Sequence, residues 1–376
     1  MKRIFTLLFI AGNIAAANAQ ITPGFYHVKN ATTGRCMIMT DYTKGNTDAV
    51  AGRIDLRAVE TNKNSEIVST HPGAVCYVSP VSGGKYDVAA QGTSISKLTG
   101  GTVYPILTKQ DDGSYTIIGS YGGITIMLGD RSNPDRSGGY YDEGALTEVT
   151  TLERGTWELL PIGRTATGEF IGIKPEVQTA DGTWWGSFFA SFAFDLHSTG
   201  MKAFYVDTVT DTDFTLKEIT GTIPAETPVL IQCASNDYTQ NIIMPKTSND
   251  LPIHPYMGGW YFDRTTADHF NAKAYDKNSM RVLGVDENGK LMFHVAPASY
   301  LKEEKYLPHN KAYVVVTSSA AETLYEKGAT GINEIQINTE VETEKEGTFN
   351  LKGQRVNEDI TTPGVYIQNG KKVIIK

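Results

Sequence analysis

Residues 24–28 of this chain read Gly-Phe-Tyr-His-Val, and residues 113–117 read Gly-Ser-Tyr-Thr-Ile. A third and shorter copy, Gly-Lys-Tyr-Asp-Val, occupies residues 84–88. In each copy the glycine permits a turn, and the tyrosine and the following valine or isoleucine share one face of a strand because strand side chains alternate. The repeat predicts related β-units within residues 20–162.

Apolar segments complete these units. One such segment, residues 75–78, precedes the copy at residues 84–88, and another, residues 103–107, precedes the copy at residues 113–117. A last apolar segment, residues 157–160, ends the region. Three units that open on Gly-x-Tyr-x-apolar and end on an apolar strand indicate a β-trefoil-like domain over residues 20–162. A polar, small-residue stretch, residues 163–169, follows as a linker.

The rest of the chain also reads as short strands, because Val/Ile/Tyr-rich runs alternate with turn residues and long helical periodicity is missing. Six strands are predicted in residues 170–328, and we expect a β-sandwich there. They are residues 201–206, 214–219, 227–232, 281–284, 291–295 and 312–316. Asp286-Glu287-Asn288-Gly289 predicts a hairpin turn. The fold class is therefore all-β.

Residues 331–376 predict a small C-terminal β module, in which Asn369-Gly370 is a strong hairpin signal between apolar strands. Its motifs are Gly-Gln-Arg-Val at 353–356, Gly-Val-Tyr-Ile at 364–367 and Asn-Gly-Lys-Lys-Val at 369–373. This segment resembles the C-terminal modules of exported multidomain proteins from Bacteroides- and Prevotella-type bacteria, and is similar to type IX secretion sorting domains. The resemblance implies export machinery as a partner; an ordinary terminal hairpin is the alternative.

The first nineteen residues predict a secretory signal. Lys2 and Arg3 precede a short apolar run, and Ala17-Asn18-Ala19 forms a cleavage pattern before Gln20. No later stretch is long and apolar enough to predict a transmembrane segment. We therefore expect a secreted protein or one on the outer cell surface of a Gram-negative bacterium.

Charge and cysteine content restrict the partners and the disulfide bonds that the sequence predicts. The net charge is −8, and no basic run suits a phosphate backbone, so nucleic acid is excluded as a partner. The three cysteines do not predict a disulfide framework. One bridge, Cys36–Cys76, and three buried free thiols are both open alternatives.

Catalytic motifs are missing from the sequence. The seven histidines and three cysteines show neither His-Glu-x-x-His nor Cys-x-x-Cys spacing, and we find no Gly-x-Ser-x-Gly elbow or phosphate-binding loop. We therefore predict no catalytic residue, no metal and no cofactor. A hydrolase built from scattered acids, and a structural or adhesive surface component, stay open as alternatives.

Aromatic clusters beside Gly or Asp are the best binding candidates, because exposed rings stack on sugars and anchor protein contacts. The candidate ligand-binding residues are Tyr140, Tyr141, Trp184, Trp185 and Trp260. The sequence thus favours a non-enzymatic binding protein, with an extracellular glycan as the first ligand and a protein as the second.

Overall fold

The computed structural model describes residues 20–39, 55–95, 105–121, 124–130, 145–261, 273–302, 304–327, 348–350, 355–356, 363–368 and 371–375. The predicted signal and the Tyr140–Tyr141 pair lie outside these residues. The chain divides into two compact units, with the boundary between Lys327 and Gly328. Both units are built mainly of β-strands, which confirms the all-β prediction.

The first part of the larger unit is one eleven-stranded, curled sheet. Its strands are β1 (Gly24–Asn30), β2 (Cys36–Met39), β3 (Asp55–Asn62), β4 (Cys76–Val81), β5 (Lys85–Ala90), β6 (Thr93–Ser94), β7 (Ile106–Lys109), β8 (Tyr115–Tyr121), β9 (Ile124–Asp130), β10 (Ala145–Val149) and β11 (Thr156–Pro161). Short helices whose bounds lie within the described residues accompany them, α1 (Ser65–Thr70) and α2 (Leu152–Gly155), together with a 3-10 turn at Pro72–Ala74.

Six of these strands form a ring. β1 pairs with β4, β4 with β5, β7 with β8, β8 with β11, and β11 returns to β1. A backbone hydrogen bond of 3.0 Å from Tyr86 N to Pro105 O joins the β5 side of the ring to the chain entering β7. The ring therefore consists of the three strands that carry the sequence repeat and the three apolar strands that alternate with them.

The inside of the ring is the first hydrophobic core. The repeated apolar residues Val28, Val88 and Ile117 are fully buried in it, beside Trp157, as the two-residue alternation predicts. Trp157 also donates from Nε1 to Leu128 O at 2.9 Å, so its one polar atom is satisfied. Because residues 26 and 28 point inward, residues 25 and 27 face outward.

The remainder of the larger unit contains a three-stranded and a ten-stranded sheet. The strands are β12 (Ile171–Gly172), β13 (Val177–Gln178), β14 (Trp184–Phe188), β15 (Ala193–Leu196), β16 (Lys202–Val209), β17 (Asp213–Ile219), β18 (Val229–Cys233), β19 (Ile242–Lys246), β20 (Met257–Gly259), β21 (Met280–Val285), β22 (Leu291–His294), β23 (Ala312–Val315) and β24 (Thr323–Glu326). The sheet orders are β12-β19-β15 and β13-β14-β18-β16-β17-β24-β22-β21-β23-β20. Pairing is antiparallel except between β17 and β24.

The six strands predicted here are present, with ends that differ from the prediction by at most three residues. The predicted hairpin also forms: Val285 lies opposite Leu291, and Asp286 Oδ1 accepts hydrogen bonds from Asn288 N and Lys290 N. Gly289 has φ +72°, a conformation that favours glycine.

The described residues of the smaller unit contain four strands in the order β26-β25-β27-β28. They are β25 (Thr348–Asn350), β26 (Arg355–Val356), β27 (Gly364–Gln368) and β28 (Lys371–Ile375). Gln368 lies opposite Lys371, which is the pairing expected for a hairpin at Asn369-Gly370.

Cys36, Cys76 and Cys233 are buried free thiols, so the Cys36–Cys76 bridge is not formed in the structure. Burial raises the pKa of each thiol to about 12. The thiols are therefore protonated near neutral pH and are poor nucleophiles.

The segment 163–169 is fastened to the ring. Gly163 N donates to Glu169 O at 2.7 Å, and Glu169 Oε2 lies 2.7 Å from Nδ1 of the buried His27 on β1. The hydrogen bond from His27 lowers the pKa of Glu169, although burial acts in the opposite direction. The stretch predicted as a linker is thus a closed loop with a buried anchor.

Replacing Glu169 with Gln is expected to lower the free energy of unfolding by about 1–2 kcal/mol at pH 7, because a charge-assisted hydrogen bond at a partly exposed site is weakened. A lowered pKa stabilises the folded state fully above the ordinary value of 4.5, and the effect is lost as the pH falls through the folded-state pKa. Urea unfolding from pH 7 to pH 3 should show the variant and the wild type converging. Glu153→Gln, at an exposed position, is the control; an equal loss in both variants would contradict the anchor.

Candidate functional site

Two adjoining depressions in the larger unit form one groove, which we call the junction groove. They have volumes of about 490 and 350 Å³. The residues that line both are Phe25, Tyr77, Lys246, Thr247 and Ser248. Volumes of this size suit a small ligand.

The floor of the groove is aromatic. Phe25 and Tyr77 lie opposite each other on β1 and β4, with ring centroids 4.9 Å apart and planes tilted by 48°. Phe192 lies 6.0 Å from Phe25 and closes the floor from the other side. Phe25 and Tyr77 stay partly exposed, whereas Phe192 is buried. The inward orientation of Tyr26 is what turns Phe25 outward into the groove.

The opposite side of the groove is polar. Lys246, at the end of β19, makes an ion pair with Asp195, and Thr222 Oγ1 donates to Asp195 Oδ1 at 2.6 Å. Burial alone would raise the pKa of Asp195, but the hydrogen bonds from Lys246 and Thr222 outweigh it and lower the pKa. The carboxylate therefore stays ionised and engaged, which suits an anchor for Lys246 better than a general acid.

The loop after β19 adds hydroxyl, amide and carboxylate groups to this polar side. Ser248 Oγ donates to Asp250 Oδ2 at 2.7 Å and accepts a hydrogen bond from Asp250 N at 3.0 Å. Asn249 lines the groove between them. Next in the chain, Leu251 is 83 % exposed. The groove thus has an apolar floor and a wall of hydrogen-bonding groups.

A buried amide pair fixes one end of the groove. Gln91 Nε2 donates to Asn310 Oδ1 at 2.7 Å, and Asn310 Nδ2 donates to Gln91 Oε1 at 3.1 Å and to Phe189 O at 2.9 Å. Gln91 precedes Gly92, which lines the groove, and Phe189 lies three residues before Phe192. The pair therefore connects the two chain segments that carry the groove walls.

The tryptophans predicted from the sequence as ligand-binding residues lie away from the junction groove. Trp185 is buried in the core of the ten-stranded sheet, with its ring centroid 5.5 Å from that of Phe204. Trp184, on the other face of β14, packs against the neighbouring core. Trp260 is half-buried, and its Nε1 finds no acceptor among the described residues. None of the three lines the groove, and Tyr140 and Tyr141 lie outside the described residues.

Sequence reasoning missed Phe25, Tyr77, Phe192 and Lys246. One signal was present: Phe25 stands beside Tyr26 in the repeat, so strand alternation places one of the two aromatic rings outside the core. The other three residues carried no such signal, because their partners are distant in the chain.

The described part of the chain contains no cluster of three or more His, Cys, Asp or Glu side chains arranged to hold a metal ion. Its longest α-helix, α1, has six residues, so no described helix can cross a membrane.

A comparison with models of known protein families finds no match to this chain, and a comparison with curated proteins finds none either.

Proposed function

We propose that this chain is a non-enzymatic, exported binding protein whose junction groove binds an extracellular glycan. The observation that carries the proposal is the pairing of a partly exposed aromatic floor, Phe25 and Tyr77, with a polar wall centred on Lys246. A sugar ring has an apolar face and a rim of hydroxyl groups. It would stack on the floor and exchange hydrogen bonds with the wall.

The proposal includes a β-trefoil-like module in residues 20–162 and a β-sandwich in residues 170–328. The six-stranded ring and its match to the sequence repeat support the first. The two layered cores of the following sheets support the second. The groove lies where these modules meet, so neither would bind the ligand alone.

The proposed export route is supported by the amino-acid sequence alone. The leader in residues 1–19 and the resemblance of residues 331–376 to sorting domains support export, with the surface of a Gram-negative bacterium as the destination.

A protein ligand is the second candidate. The 83 % exposed Leu251 lies directly after the polar wall of the groove. A leucine this exposed beside an aromatic floor would suit an apolar side chain of a partner.

The test is a glycan array probed with the chain from Gln20 to Lys376, followed by Tyr77→Ala. We expect the variant to bind the retained glycan about two- to twelvefold more weakly, since one aromatic contact is worth about 0.5–1.5 kcal/mol. Tyr256→Ala, 40 % exposed and outside the groove lining, is the matched control and should bind as the wild type does. Thermal unfolding checks that both variants are folded. Failure to bind any glycan, or equal binding by Tyr77→Ala, would refute the glycan proposal.

A further inference from the structure

Two histidines meet behind the groove. His71 ends α1 and caps the 3-10 turn at Pro72–Ala74, and its ring centroid lies 4.8 Å from that of His309, with the planes at 73°. The two residues come from opposite sides of the module junction. The turn that His71 caps is packed closely, since a side chain at Gly73 would collide with the carbonyl oxygen of Met39 and with the ring of His71.

The hydrogen bonds of His71 require a neutral ring. Gly73 N donates to His71 Nδ1 at 2.9 Å, which assigns the proton of the neutral imidazole to Nε2. That Nε2 is buried, and no described residue accepts a hydrogen bond from it. A second proton would have to go to Nδ1, where it would break the bond from Gly73 and place two donors face to face.

The surrounding charges also oppose a cation. Lys302 and Lys311 lie near the ring of His71, in addition to His309. Two described acids of this region are engaged by lysines: Glu66, on the same helix, pairs with Lys174, and Glu176 pairs with Lys311. Burial, and after it His309 and the two lysines, hold the pKa of His71 well below its ordinary value of 6.5.

The two histidines are attached to the groove. His71 leads through the 3-10 turn into Val75 and Tyr77, which line the groove. His309 is followed directly by Asn310, which fixes Gln91 and Phe189. A movement that separates the two rings would therefore act on the chain segments that carry Tyr77 and Phe192 in the floor of the groove.

We propose that the His71–His309 contact is an acid-sensitive latch: protonation of His71 in a mildly acidic medium loosens the module junction, and the groove releases its ligand. The release of a ligand rests on the proposed function, because it requires the groove to bind one. The loosening of the module junction does not depend on that function. Because the folded-state pKa of His71 is lowered, its stabilising effect is complete above about pH 6.5 and falls as the pH drops below that value.

Hydrogen exchange of the chain from Gln20 to Lys376, without ligand and corrected for intrinsic rates, tests the loosening. In the wild type we expect amides of residues 72–77 and 309–315 to lose about tenfold in protection between pH 7.5 and pH 5.5, since one pH unit below the free pKa corresponds to a factor of ten. His71→Asn keeps a capping oxygen but cannot titrate, so it should show less than about twofold change. His197→Asn, at an exposed position, should behave as the wild type does.

Unchanged protection in the wild type would overturn the latch without reference to any variant, and a tenfold loss retained in His71→Asn would overturn the role of His71. For the release, the glycan retained on the array should bind about tenfold more weakly at pH 5.5 than at pH 7.5, and only in chains that keep His71. Equal affinity at both pH values would overturn the release. If the array retains no glycan, the proposed function fails, while the exchange profile still decides the loosening.

Discussion

Replacing Asn310 with Gly is expected to lower the free energy of unfolding of the larger unit by about 2–4 kcal/mol, because three hydrogen bonds disappear and their buried partners stay behind unsatisfied. Those partners are the side-chain amide of Gln91 and the carbonyl oxygen of Phe189. Glycine is chosen because Asn310 has φ +59°, which glycine adopts without strain. Urea unfolding followed by circular dichroism measures the change.

The matched control is Glu304→Gly. Glu304 is exposed and has φ +56°, so this variant measures the backbone effect of glycine at a positive φ, in the unfolded chain and in the folded turn, without the loss of a buried amide. A double-mutant cycle with Gln91→Gly, at φ +49°, should give a coupling energy of about 1–3 kcal/mol. If Asn310→Gly cost no more than Glu304→Gly, the amide pair would not be holding the junction.

Replacing Arg281 with Met is expected to cost at least about 3 kcal/mol, since hydrogen bonds from a charged donor are worth about 1.5–3 kcal/mol each. The side chain is only 3 % exposed. Its guanidinium donates to four carbonyl oxygens, at distances of 2.6–3.1 Å. These carbonyl oxygens belong to Lys277, Met280, Ala320 and Ala321. The arginine therefore fastens the chain before β21 to the loop before β24.

Arg281→Lys tests how much of the stability comes from the positive charge and how much from the planar geometry of the guanidinium. Lysine keeps the charge but presents a point donor instead of a planar fork, so we expect it to recover less than half of the lost stability. Arg164→Met, at an exposed position, should change the unfolding midpoint little. A loss in Arg281→Met no larger than in this control would contradict the fastening role.

Much of the strand structure could be predicted because it depends on local rules. The Gly-x-Tyr-x-apolar repeat marked three ring strands, since Val28, Val88 and Ile117 follow a two-residue alternation that burial enforces. The turn at residues 286–289 was equally predictable from the sequence, because Gly289 adopts a positive φ and the Asp286 side chain accepts a hydrogen bond from the backbone two residues on.

The aromatic candidates show where such rules stop. Trp184 and Trp185 stand beside a glycine in the sequence, which suggested exposure, yet Trp185 is buried in one hydrophobic core and Trp184 packs, partly buried, against another. Whether a strand face meets solvent or another sheet depends on which layers pack together. Composition near the tryptophans holds no information about that.

By itself, the sequence determined that the protein is all-β, where most of the described strands lie and which residues of the repeat point inward, because alternation and turn chemistry act over a few residues. The tertiary structure alone decided that Phe25 and Tyr77 face Lys246, that Gln91 bonds to Asn310 and that His71 meets His309. These pairs are separated by more than 150 positions in the chain. Their contacts arise only when the eleven-stranded sheet packs against the part of the larger unit that follows it, and a local pattern cannot encode that packing.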